Sequence, residues 1–178
     1  MIPGDDVFLV PQRVYSSMGS LADQITYPQL VKTDERTKEQ EDKMMELMTL
    51  VGIQYLVDRE GGWDTVRVWE DTLSLGEQQR LGMARLFYNK PKYGVLDECT
   101  SAVSVDVERR LYKAAKEMGI TSITISQRLA LTEFHDKELR LGEVTDAGWS
   151  VHDCVHSGEC MYTRSLALRV MYMSGSLF

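Results

Sequence analysis

Apolar positions change their period several times along the chain, and each change marks an element. Val7-Phe8-Leu9-Val10 is an unbroken apolar run stopped by Pro11, the pattern of a short buried strand followed by a loop that opens with Gln12. From Asp34 to Val51 the period lengthens to that of a helix, with Met44, Leu47, Met48 and Val51 on one face behind a polar start. That stripe reads as core packing rather than a ligand surface, since Met is an ordinary gap-filler in cores. Arg59-Glu60-Gly61-Gly62-Trp63-Asp64 is a loop, because paired glycines interrupt both periodicities. Ser74 then stands as an N-cap with Glu77 three residues on, a capping box, and Leu81, Ala84, Arg85 and Tyr88 continue the helix until Pro91.

Tyr93-Gly94-Val95-Leu96 is a second apolar run and ends in two carboxylates, Asp97 and Glu98. Val105 to Met118 is expected to be a helix closed by Gly119 at its C′ position. The β-branched stretch Ile120 to Ile125 follows as a strand, so strand, helix and strand form a parallel crossover unit. Lys137 to Leu141 is a weaker strand with Val144 to Ser150 as its expected partner. Past Val151 the pattern fades, and Leu166 to Met173 is expected to form an apolar helical turn or two.

Composition narrows the classes. A chain of 178 residues, 43% hydrophobic and 26% charged, has enough apolar material for one domain with its own core. A net charge of -7 argues against a phosphate-backbone binder, so no nucleic acid partner is expected. No run of ~18 uncharged apolar residues is present, and the first six residues carry neither a basic flank nor an apolar h-region. The chain is therefore expected neither to span a membrane nor to enter the secretory route. Three Cys make no even disulfide framework, which favours a reducing compartment, and the final Ser176-Leu177-Phe178 is not a peroxisomal Ser-Lys-Leu address.

Two stretches carry chemistry. A helix entered through Ser74-Leu75-Gly76 directs bare backbone N–H groups and a hydroxyl outward, an arrangement suited to phosphate. A buried strand tipped by Asp97 and Glu98 supplies hard oxygen ligands and a base for water. Read blandly, the first is a plain helix cap and the second a polar strand exit. A Gly-rich phosphate loop ending in Gly-Lys-Ser/Thr does not occur, since none of the 13 Gly residues is followed by Lys. The segment His152, Cys154, His156 and Cys160 offers four potential zinc ligands, but at a spacing that matches no common structural zinc pattern.

Taken in order, Phe8 to Arg13, Glu60 to Trp63, Leu73 to Arg80, Gly82 to Tyr88, Pro91 to Tyr93 and Leu96 to Ser104 resemble the ATP-binding domain of ABC transporters from its Q-loop onward. The blocks are similar in particular to the peroxisomal fatty-acyl transporter subfamily, and Ser-Leu-Gly-Glu with Ser126-Gln127-Arg128 to its plant, comatose-type members. The resemblance covers about residues 7 to 150. It implies an α/β fold, a truncated P-loop NTPase (RecA-like) parallel sheet carrying the helical signature subdomain at about residues 20–90. Residues 1–150 would form a partial ATP-binding domain, and 151–178 a poorly structured tail.

Residue by residue, the resemblance assigns Gln12 to the Q-loop, sensing Mg²⁺ and the γ-phosphate. Ser74 and Gly76, with Glu77, take the signature positions that meet ATP bound to the opposite domain. Asp97 becomes the Walker B ligand that orders Mg²⁺, Glu98 the general base, and Ser101 the D-loop contact to nucleotide. Gln127 stands where the family has a switch histidine; an amide there donates but does not titrate, and slower hydrolysis is expected. Cys99 reads as a packed small hydrophobe. Leu75 departs from the usual Gly. The cofactors implied are ATP and Mg²⁺. The partners implied are a second ATP-binding domain in a head-to-tail dimer and a transmembrane domain, on the cytosolic face of the peroxisomal membrane.

The function implied is ATP hydrolysis driving import of very-long-chain fatty acids or their CoA esters for β-oxidation. Its rival is a catalytically incompetent fragment that docks on an intact ATPase domain. A third class, ABC ATPases of chromosome maintenance, fits less well: Arg59-Glu60-Gly61-Gly62-Trp63 is foreign to it and coiled-coil heptads are missing. Without the phosphate-loop strand, the sheet is expected to carry unpaired backbone groups and the chain to be of low stability.

Overall fold

The computed structural model, which describes residues 6–29, 33–141, 148–154 and 168–173, divides the chain into two compact units. The sheet unit comprises residues 1–9, 91–98 and 112–178, and the helical unit residues 10–90 and 99–111.

Six strands among the described residues form one sheet: β1 (Val7–Val10), β2 (Tyr93–Asp97), β3 (Thr121–Ser126), β4 (Lys137–Leu141), β5 (Trp149–Asp153) and β6 (Leu168–Met173), in the order β1-β2-β3-β6-β4-β5. β2 and β3 run parallel, with Asp97 opposite Ile125, which is the expected crossover pair. From β3 outward every pairing is antiparallel: β6 on β3, β4 on β6 and β5 on β4. Alternation along β3 buries Ser122, Thr124 and Ser126 while Ile123 and Ile125 are half-buried, so the polar face of this strand is the inner one. His135 is fully buried beneath it, its Nε2 2.8 Å from Thr124 Oγ1 and its Nδ1 2.6 Å from Leu131 O.

The C-terminal segment departs from expectation. Leu168–Met173 is strand, not helix, and sits inside the sheet between β3 and β4. Six residues are too few for periodicity to separate a helical turn from a buried strand. Two flanking backbone edges that need hydrogen-bond partners decide the matter. For the same reason the expected row of unpaired groups is not found on β3, which has β2 on one side and β6 on the other. One partner of β4 is also displaced: it is Trp149–Asp153, which overlaps the expected segment only at Trp149 and Ser150, and residues 142–147 lie outside the described set.

In the helical unit, α1 (Leu21–Thr26) and α2 (Lys38–Val51) pack on α5 (Leu75–Asn89), with the shorter α3 (Tyr55–Glu60) and α4 (Trp69–Thr72) between them in sequence. The stripe Met44, Leu47, Met48 and Val51 is buried, as its spacing requires. α2 begins later than Asp34: Thr33–Glu35 is a 3₁₀ turn, and a capping box of Thr37 with Gln40 starts the helix. Gly52, at φ 75°, closes it in the left-handed region that a side chain resists. The helices α1, α3 and α4 were not expected, since four to six residues hold less than two turns. α5 approaches the loop after β1 closely enough that a Cβ on Gly82 would lie 2.7 Å from Val14 Cγ2. The last helix, α6 (Val105–Glu117), has its residues divided between the two units. No helix among the described residues is long and apolar enough to cross a membrane.

Candidate functional site

The residues singled out by sequence fall into three constellations, one in the sheet unit and two in the helical unit.

In the sheet unit, Asp97 is the last residue of β2 and Glu98 leaves the sheet with φ 46°, a left-handed backbone unusual for a residue with a side chain. The ladder holds it there, because Glu98 N donates to Ile125 O at 3.0 Å. Its Oε1 accepts the backbone N–H of Gln127 at 3.2 Å. Glu98 and Gln127, the residue expected at the switch position, thus stand side by side beyond the carboxyl ends of two parallel strands, where open α/β sheets bind ligands. The Gln127 side chain is exposed.

At the start of α5 the capping box is complete. Glu77 Oε2 accepts from Ser74 N at 2.8 Å and from Ser74 Oγ at 2.9 Å, while Oε1 accepts from Tyr55 Oη at 2.8 Å and Arg59 Nη1 at 2.7 Å. Burial would raise the pKa of this carboxyl, but the N–H of Ser74, the Tyr55 and Ser74 hydroxyls and the Arg59 guanidinium outweigh it and hold the group at about 2. Glu77 is buried and Ser74 exposed, so the acid braces the turn from beneath while the serine faces outward. Gly76 is required by close approach: a Cβ there would lie 2.9 Å from Ala102 O.

The third constellation centres on Gln79, one turn into α5 and fully buried. Its amide Nε2 donates to Ser101 Oγ at 2.8 Å and to Gln12 O at 3.2 Å, and its Oε1 accepts from Ala102 N at 2.8 Å. Gln12 and Ser101, 89 positions apart by their numbers, are therefore brought to one side chain. Sequence reasoning did not single out Gln79. A polar residue two positions past a capping box and flanked by Gln78 and Arg80 looks like solvated helix surface, and only burial shows otherwise. Nearby, Thr100 Oγ1 donates to buried Glu108 at 2.6 Å, and Cys99 is buried with its Sγ 3.8 Å from Met83 Sδ, a packing role.

Comparison with known proteins decides the family. The ABC transporter family model matches residues 5–101, more than half of the chain. The chain belongs to the ABC transporter family. It is 50% identical over 154 residues to ABC transporter D family member 1 of Arabidopsis thaliana, covering 78% of this chain and 12% of that protein. It is 46% identical over 136 residues to ATP-binding cassette sub-family D member 3 of Mus musculus, covering 76% of this chain and 20% of that protein. Against the structure of a bacterial Atm1-family ABC exporter with ATP bound, it superposes with TM-score 0.60 at 21% identity, over 75% of this chain and 23% of that one. The fold is thus the α/β ABC ATP-binding domain, and the chain spans a small part of the length of the relatives it matches.

Within an ABC domain the donor set suits the expected cofactors: carboxylate and amide oxygens for Mg²⁺, and an exposed hydroxyl with helix N-terminal N–H groups for phosphate. Among the described residues, no three His, Cys, Asp or Glu side chains come together as a metal cage. Of the tail's four potential zinc ligands, His156 and Cys160 lie outside the described residues. His152 bonds Ser150 Oγ at 2.7 Å, and burial beside Glu138 and Asp136 pushes the Cys154 thiol up to about 11.

Proposed function

We propose that this chain acts in ATP hydrolysis by a peroxisomal ABC transporter that imports very-long-chain fatty acids or their CoA esters. The observation that carries the reading is Glu98, held at φ 46° beyond β2 with its carboxylate against the backbone N–H of Gln127. In this role the family pattern gives Mg²⁺ to Asp97 as its ligand and to Gln12 as its sensor, and the ion would supply charge to the phosphate oxygens. Glu98 takes the proton of the attacking water, and Gln127 donates without titrating, so the half-site turns over slowly. Ser74 and Gly76 meet the γ-phosphate of ATP seated on a second, head-to-tail ATP-binding domain; Glu77 holds that turn in place, and Ser101 adds the D-loop contact. Similarity to D family members supports the subfamily, and the substrate class and the peroxisomal membrane, cytosolic face, as location follow from the resemblance of the blocks between Phe8 and Ser104.

A transmembrane domain is the second partner. An apolar groove of about 480 Å³ in the helical unit, with Met18, Val66 and Val68 exposed beside Trp69, supports a docking surface for it. The rival reading is a catalytically incompetent fragment that docks on an intact ATPase domain.

Titrating Mg-ATP into the full chain, alone and with an ABC ATP-binding domain that carries its own phosphate loop, separates the two. Turnover that needs both chains and falls roughly 10²-fold or more with Glu98→Gln is expected. Turnover in the mixture equal to that of the second domain alone leaves the docking fragment.

A further inference from the structure

We infer that Gln79 is a positioning residue that locks the Gln12 loop and the Ser101 loop to the start of α5, so that the two loops move as one body. The inference rests on the reading above for what those loops carry, and goes beyond it by naming the residue that couples them.

Chemistry at this position is restrictive. One side chain supplies two donors and one acceptor, and all three find partners on two loops: Gln12 O at 3.2 Å, Ser101 Oγ at 2.8 Å and Ala102 N at 2.8 Å. Only an amide of this length does so; a carboxylate lacks the donors, a lysine lacks the acceptor, and an apolar residue lacks both. Gln79 is fully buried, so its amide has no water to turn to when these bonds are lost, although Gln12 and Ala102 at the far ends are exposed. The neighbouring packing acts the same way: Gly76 leaves room for Ala102 O and Gly82 for Val14, so α5 touches both loops at close range. A displacement of either loop that drags the Gln79 amide with it loosens the bonds that hold the other. Were each loop held separately, its bonds would end on different side chains.

Amide hydrogen exchange on the full chain without nucleotide tests this. In Gln79→Met, exchange at Ala102 and at residues 12–14 is expected to rise about tenfold or more, the loss of roughly one net hydrogen bond, while α2 amides hold their rates. Ser101→Ala is the second variant, milder because Ser101 is only half-buried. It is expected to accelerate exchange at 12–14, which Ser101 does not precede or follow in sequence, as well as at Ala102. Rates at Ala102 and 12–14 within twofold of the parent, a Ser101→Ala effect confined to Ala102, or an equal rise throughout α2 would each overturn the inference. If Gln79→Met does not fold, Ser101→Ala alone decides. Because no ATP is present, a negative result here is separate from a failure of ATP turnover.

Discussion

Glu77 and His135 set how the chain responds to acid, through opposite uses of burial. Glu77 keeps its charge because four donors surround it, and its pKa lies near 2 against an ordinary 4.5. The unfolded chain binds that proton more readily, so its contribution is complete above about pH 4.5 and is lost as pH falls toward 2. A shift of this size is worth about 3 kcal/mol. His135 stays neutral, since burial lowers its pKa below 6.5, and the stability tied to it is complete above 6.5 and declines below. Urea midpoints measured from pH 7 down to 2 are therefore expected to fall in two stages. In Glu77→Gln the lower stage disappears and the upper remains; a lower stage unchanged in that variant would show that other carboxylates carry it.

At the scale of elements, the least expected feature is the strand that completes the sheet. β6 pairs through Val170 with Ile125 of β3 on one side and Leu139 of β4 on the other. Proline at that position removes a donor and adds a clash inside an interior strand, a loss of about 3 kcal/mol or more. Val170→Pro is thus expected to lower the thermal midpoint and to expose the edge of β3, with self-association visible by light scattering. A variant that stays monomeric with an unchanged midpoint would place the stabilising pairing elsewhere. By contrast α5 was legible in advance, because its start is encoded locally: Ser74 and Glu77 cap each other, and no distant residue is needed to see it. Thr37 and Gln40 encode the start of α2 equally locally, yet the two acids Asp34 and Glu35 in front of them looked like a first helical turn.

For the whole molecule, the groove lined by Met18, Val66 and Val68 is the surface proposed to dock the transmembrane domain, and its substitution leaves the core untouched. Met18 is 95% exposed, so Met18→Asp is expected to change stability by under about 0.5 kcal/mol. Combined with Val68→Asp it is expected to weaken co-purification with a D family transmembrane domain about a hundredfold or more, the order of two buried apolar side chains. Equal recovery of parent and double variant would assign the docking surface to another face.

What the residues determine by themselves is local or ordered. Caps at Ser74 and Thr37, the β-branched run of β3, the carboxylates closing β2 and the family blocks from Phe8 to Ser104 all lie in short stretches whose chemistry is complete within a few positions. What only the tertiary structure decided is long-range. It chose strand over helix for Leu168–Met173 because β3 and β4 offered unpaired edges. It also buried Gln79 where Gln12 and Ala102 needed a partner. Both outcomes depend on desolvating hydrogen-bonding groups, and whether a group loses its water is settled by distant parts of the chain, not by its neighbours in sequence.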